Sequence, residues 1–161
     1  MGTDELLFSR LRSLSGLKTL IVGIGNSLKG DDGAGPLVCQ QLKGRTSAEL
    51  VDAGTVPENY IQRIIKKSPQ NLIIIDAVDF GASAGMIELF RPEQLASLVI
   101  STHMLSPHLF IDMIKKTTET EVYFIGIQPA QTQLGQRITS EVSRAVDKLT
   151  CTLAGLFPPE K

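Results

Sequence analysis

Residues 71–76 read NLIIID, an aliphatic run with no polar interruption between two polar ends. A strand wetted on one side would alternate apolar with polar. This one does not, which predicts a strand covered on both faces by layers of helices. EVYFIGI at 121–127 repeats the pattern. Shorter β-rich stretches lie at 19–22, ending in Gly23 and Gly25, and at 49–53. Between these runs the apolar residues fall at helical spacing. Pro36 marks a helix start after the first stretch, since proline suits the first helical turn. Pro57-Glu58 opens a helix with Ile61, Ile64 and Ile65 on one face and Ser68-Pro69 at its end. Ser106-Pro107 starts another, bearing Leu109, Phe110, Met113 and Ile114. A last helix covers 140–153 with Val142, Ala145, Val146, Leu149 and Leu153 inward. Leu7, Leu11 and Leu14 form a short amphipathic lead, and residues 85–90 alternate weakly, as a strand at or near a sheet edge does.

Strands and helices in alternation predict an α/β fold: a single-domain, three-layer sandwich with a mostly parallel, twisted sheet and helices on both faces. A chain of 161 residues fits one domain spanning 1–161, and no internal repeat, low-complexity tract or linker divides it. In such a sheet ligands sit in the crevice at the C-terminal ends of the strands.

Charge and cysteine content remove several function classes. The net charge of −1 and pI of about 6.1 leave no electrostatic footprint for nucleic acid. Lys66-Lys67 and Lys115-Lys116 read as solvated helix ends that complement the macrodipole. Cys39 and Cys151 form no Cys-x-x-Cys pair, which excludes a zinc knuckle or a thioredoxin-type centre. Both are expected to be buried free thiols in a reducing compartment. The first ten residues lack the apolar core of a signal peptide, and no apolar stretch is long enough to span a bilayer. A monomer in the cytoplasm is expected, without a membrane partner.

The segment after the first strand, GIGNSLKGDDGAG at 23–35, has the strand–glycine-turn–helix order of a phosphate cradle but not its residues. The dinucleotide fingerprint needs glycine where Leu28 stands, and Lys29-Gly30 is the wrong order for a P-loop. Asp31 and Asp32 would moreover repel an anion at the helix N-terminus. One aspartate, more readily Asp31, reads as a cap for the following helix. A second in the same turn calls for something cationic. Asp76 closes the NLIIID run, and His103 follows the stretch at 99–102. Singly, each has a structural reading: Asp76 an Asx-turn, His103 an ordinary structural histidine. Together, Asp32, Asp76 and His103 leave separate strand ends on one rim. Two carboxylates and an imidazole suit a divalent ion such as Ni²⁺ or Zn²⁺, with positions left for water or substrate. His108, in the first turn of a helix, is the weaker candidate. No His-Glu-x-x-His, Gly-x-Ser-x-Gly or Cys/His signature points to other hydrolytic chemistry.

The ordered set Gly23-Ile24-Gly25-Asn26-Ser27-Leu28, Asp31-Asp32-Gly33, Gly35, Asp52-Ala53-Gly54, Ile75-Asp76-Ala77, Thr102-His103 and Gly126-Ile127-Gln128-Pro129 resembles the hydrogenase maturation endopeptidases. The resemblance spans roughly residues 18–155. Its Thr102-His103 and Gly-Ile-Gln-Pro features are similar to the branch serving formate-hydrogenlyase-type and energy-converting hydrogenases. It implies a twisted sheet flanked by helices and an endopeptidase, a hydrolase that removes a C-terminal extension from the large-subunit precursor of a [NiFe] hydrogenase. It implies nickel, already seated in that substrate, as the recognised ion. Asp32, Asp76 and His103 are the implied metal ligands and, shared with them, the catalytic residues. Many relatives have glutamate in place of Asp32. Asp52 matches a recurring position, with a loop-fixing hydrogen bond or a substrate contact both open. The ion polarising the scissile carbonyl or a water, and Asp32 or Asp76 acting as general base in an aspartic-type mechanism, also stay open. The loops at 26–35 and 128–138 read either as walls for the extension peptide or as surface connections. A nickel carrier or insertion accessory with the same ligands, or a doubly wound nucleotide-binding module, are the competing readings.

Overall fold

The computed structural model describes residues 3–97, 99–100 and 107–161. Helix α1 (Thr3–Arg12) leads into strand β1 (Thr19–Ile24), a 3₁₀ turn (Gly30–Gly33) and α2 (Ala34–Leu42). Next come β2 (Glu49–Gly54), a 3₁₀ turn (Pro57–Tyr60), α3 (Ile61–Lys67) and β3 (Asn71–Asp79). The chain continues with β4 (Ile87–Phe90), a 3₁₀ segment (Pro92–Ser97), β5 (Val99–Ile100), α4 (Pro107–Lys115), β6 (Glu121–Ile127) and α5 (Ser140–Leu156).

The sheet runs in the order β2-β1-β3-β6-β4. The first four strands are parallel, and β4 joins β6 antiparallel at the edge, where the weak alternation of 85–90 predicts it. β5 pairs antiparallel with the end of β3 through Val78 and Asp79. β3 lies in the middle, and every residue from Asn71 to Val78 is buried, which is why its sequence does not alternate.

The pleat divides each strand between two cores. Ile21, Ile73, Ile75, Ile125 and Ile127 face α1, α2 and α5, packing on Leu11, Val38, Leu42, Val146 and Leu153. Leu20, Val22, Leu72, Ile74 and Phe124 face α3 and α4, packing on Ile61, Ile64, Phe110, Ile111 and Ile114. The result is the three-layer arrangement with helices on both faces. Each such aliphatic side chain stabilises the fold by about 1.5–3 kcal/mol when fully buried, so a charge at Ile74 would unfold the centre of the sheet.

Several expectations need correction. Strand β3 does not stop at Asp76 but runs on to Asp79, because β6 pairs it through Ala77 and β5 extends the ladder. Leu109 and Met113 of α4 are exposed, and Ile111 takes their place on the inner face. Cys39 is buried as expected, but Cys151 is exposed, on the outer side of α5. Among the described residues no helix is long and apolar enough to cross a membrane.

Candidate functional site

The parallel strands direct their C-terminal ends to one rim, and glycines let the chain turn tightly there. Gly25, at φ +147°, ends β1 and donates its N–H to the Gly54 carbonyl at 2.8 Å, tying the ends of β1 and β2. Gly35, in the first turn of α2, lies against the strand backbones. A Cβ there would come within 2.5 Å of both the Ile24 and Ile75 carbonyl oxygens. The glycines of this segment therefore serve close helix-on-sheet packing, and the turn they permit carries both aspartates inward.

Asp31 is completely buried, but it caps no helix: neither the Gly30–Gly33 turn nor α2 has a side-chain cap. Its carboxylate reaches across the chain instead. One oxygen accepts the Ala130 and Gln131 N–H groups at 2.8 and 3.2 Å. The other accepts the Thr139 N–H at 2.7 Å and its hydroxyl at 3.0 Å. The capping expectation for Asp31 is thus replaced by a tie between the glycine segment and the connection after β6. The partners lie 99 to 108 residues away, so no local pattern could reveal them.

Asp32 is buried beside it and accepts the Asn26 N–H at 2.9 Å. Asp76 lies in mid-strand, paired in register with Gly126 and one residue beyond the Gly23–Ile75 pair. It is 1% exposed, and among the described residues neither of its carboxylate oxygens has a hydrogen-bond partner. Burial pushes its pKa well above the usual carboxylate range. The negative charge of Asp32 pushes it further, and the Ala77 amide, outside hydrogen-bond geometry, opposes the shift only weakly. A buried polar group without a partner is rare in proteins and calls for an explanation.

The fold thus brings Asp32 and Asp76 together. His103, the third expected ligand, lies outside the described residues, as do Thr102 and Ser106. Among the described residues no three acidic, histidine or cysteine side chains converge on a common point. Asp52 is exposed, and its Oδ1 accepts the Gly54 N–H at 3.1 Å, a bond that fixes the turn after β2.

Gln128 stands in the Gly126-Ile127-Gln128-Pro129 motif, where its residue type alone points to no role. It is 6% exposed, and its amide oxygen accepts the Phe80 and Ala82 N–H groups at 2.8 and 3.2 Å. Its amide nitrogen donates to the Asp79 carboxylate at 3.1 Å. The Gly81 N–H and then this amide hold Asp79 below the usual carboxylate range. Gln128 so pins the chain leaving β3 to the end of β6, and a lone amide ending an apolar strand was its only sequence signal. A cavity of about 670 Å³ lies at the other end of the sheet, among Lys18, Glu49, Gln70 and Phe157, away from this chemistry.

A family model described as hydrogenase maturation protease, HycI, matches residues 37–155. The chain is 33% identical over 139 residues to the hydrogenase 3 maturation protease of Escherichia coli strain K12, covering 84% of this chain and 88% of that protein. It is similar to the crystal structure of a [NiFe] hydrogenase maturation protease HycI from Thermococcus kodakarensis, with TM-score 0.83, 28% identity and coverage of 91% and 97%. The solution structure of the endopeptidase HycI from Escherichia coli is also similar, with TM-score 0.78, 32% identity and coverage of 86% and 90%.

Proposed function

Because this chain belongs to the hydrogenase maturation protease family and is a peptidase, we propose that it removes the C-terminal extension of a [NiFe] hydrogenase large-subunit precursor. In this reading it recognises the nickel already seated in that substrate through Asp32, Asp76 and His103. The observation that carries the reading is Asp76: a buried carboxylate with both oxygens unpartnered among the described residues and a second carboxylate next to it. Asp76 finds no compensation for a charge among the described residues, and a divalent cation supplies it. Oxygen and imidazole donors also suit nickel, which relies on ligand type and geometry for selection.

The chain's own residues divide the work. In the free protein, burial and then the charge of Asp32 raise the Asp76 pKa and so favour its protonated form. Metal ligands must be deprotonated, so engagement of the substrate's ion expels that proton. Asp32 is held at the rim by the Asn26 N–H, and the tie at Asp31 steadies the turn from which it projects. When bound, the substrate's nickel supplies Lewis-acid polarisation of the scissile carbonyl or of a water. A carboxylate of the Asp32–Asp76 pair takes the proton of the attacking water and returns it to the leaving amine, which makes the chemistry aspartic-type in its proton transfers. Recognition through the substrate's own metal would also enforce order, since a precursor without nickel offers nothing to the two aspartates. The free thiols Cys39 and Cys151 support work in a reducing compartment, the cytoplasm.

The test uses purified large-subunit precursor in nickel-loaded and nickel-free forms, incubated with this protein alone and read by mass spectrometry. Only the nickel-loaded form is expected to lose its tail. Equal cleavage of both refutes recognition through nickel, and no cleavage of either favours a nickel carrier or insertion accessory.

A further inference from the structure

The segments at 26–33 and 128–139 leave the sheet from different strands, β1 and β6, yet they are built as one piece. Three backbone bonds cross between them. Gly135 N–H donates to the Leu28 carbonyl at 2.8 Å, Gly30 N–H to that of Gln136 at 3.1 Å, and Asp31 N–H to that of Gln131 at 2.9 Å. The buried Asp31 carboxylate adds its bonds from Ala130, Gln131 and Thr139. Gly30, at φ +54°, leaves room for the Gln131 amide, which a Cβ would meet at 2.6 Å. The joint is therefore close-packed and held by a charge with several donors, not a pair of loose connections.

Two apolar side chains stand on this joint facing water: Leu28, 69% exposed, and Leu134, 73% exposed. They exceed every other large apolar side chain among the described residues. Scattered exposed leucines need no explanation. These two are not scattered, because the Gly135–Leu28 bond sets their backbones side by side. Leu28 also lies only four residues before Asp32, at the rim of the site. The same segments carry Lys29 and the exposed Arg137, and their two acids, Asp31 and Asp32, are buried. A rigid backbone that already holds apolar groups in place binds with little further loss of entropy.

We propose that this stitched pair of loops is the docking platform for the precursor protein, with Leu28 and Leu134 covered by an apolar segment of it whose flanks are neutral or acidic. The inference rests on the function proposed above and adds the surface by which the substrate is held while its bond is presented to Asp32 and Asp76. Binding of this kind acts alike on ground state and transition state, so its loss raises KM and leaves kcat alone.

The test is the double variant Leu28→Ser/Leu134→Ser, whose exposed positions leave stability within about 0.5 kcal/mol per site. Two measurements are made: binding of the nickel-free large-subunit precursor, and kcat and KM on the nickel-loaded one. The double variant is expected to weaken binding and raise KM about tenfold or more, with kcat within about twofold. Leu6→Ser, an exposed position on α1 away from the platform, is expected to change neither. Cleavage with unchanged KM and binding in the double variant overturns the platform and leaves the proposed function standing. Weakened precursor binding without any cleavage by the unsubstituted protein supports the platform and overturns the proteolytic reading of that precursor. Equal weakening by Leu6→Ser, or no binding of either precursor form by the unsubstituted protein, overturns the platform.

Discussion

Replacing Asp76 by asparagine should make the protein more stable and inactive at once. The side chain keeps its size and loses its charge. In the native protein the carboxyl is buried, unpartnered and close to Asp32, so its pKa lies well above the ordinary value. In the unfolded chain it returns to about 3.9. Between these two values the native state holds a proton that the unfolded state has released. Stability therefore falls as pH rises, by about 1.4 kcal/mol per pH unit, and levels off above the native pKa. Below the unfolded pKa the penalty is absent. Asparagine leaves an unpaired amide in the same place, costing about 1–3 kcal/mol, whereas the unpaired charge costs more. A net gain of about 2 kcal/mol at pH 8 corresponds to a Tm higher by about 4–8 °C for a chain of this size. Calorimetric melts of both proteins from pH 4 to pH 8 read the effect, and the gap between them should widen with pH. Nickel should reverse it. At a hundred times its Kd the ion adds about 2.7 kcal/mol to the unsubstituted protein and far less to the variant. A variant equally stable or less stable at pH 8, or a gap that does not change with pH, refutes the account of Asp76 as an uncompensated carboxyl.

Three further outcomes are expected. His103→Ala should abolish cleavage and metal binding with the circular-dichroism spectrum intact, and His108→Ala should keep most activity; the reverse pattern in folded proteins would reassign the imidazole ligand. Gly35→Ala places a methyl 2.5 Å from two strand carbonyls, and since backbone cannot yield cheaply the loss should be about 3 kcal/mol or more. A denaturant midpoint close to that of the unsubstituted protein would mean that α2 can lift from the sheet. Burial, and then the charge of Asp52, raise the Cys39 thiol to about 12, so at pH 8 a thiol reagent should modify only the exposed Cys151 and reach Cys39 on unfolding. Two fast thiols in the native protein contradict that placement.

The strands and their covering were readable because the signal is local. Three isoleucines and a leucine in a row have few stable positions other than the centre of a parallel sheet, and β3 occupies it. The alternation of strand and helix likewise led to the layered fold, and the weak pattern at 85–90 to an edge. The rejection of a phosphate cradle needed only Leu28, Lys29 and the two aspartates. Where the reading failed, the deciding contact was distant in the chain. Asp76 looked like a strand end because polarity marks boundaries, but pairing with β6 and β5 carried β3 past it. Cys151 looked like a core residue, yet the turn of α5 sends it outward.

By itself the sequence determined which segments are strands and helices, and it named Asp32 and Asp76 as the acids to watch, since side-chain type and spacing are properties of the chain. Only the tertiary structure decided what those acids experience. Asp31 and Asp32 are neighbours of the same kind, but Asp31 is spent on Ala130, Gln131 and Thr139, about a hundred residues away. Asp76 has no hydrogen-bond partner among the described residues and faces the charge of Asp32. Whether a carboxylate is a structural tie or a reactive group depends on its hydrogen-bond donors, its neighbouring charges and its access to water. Those surroundings exist only when the folded chain has brought distant segments together.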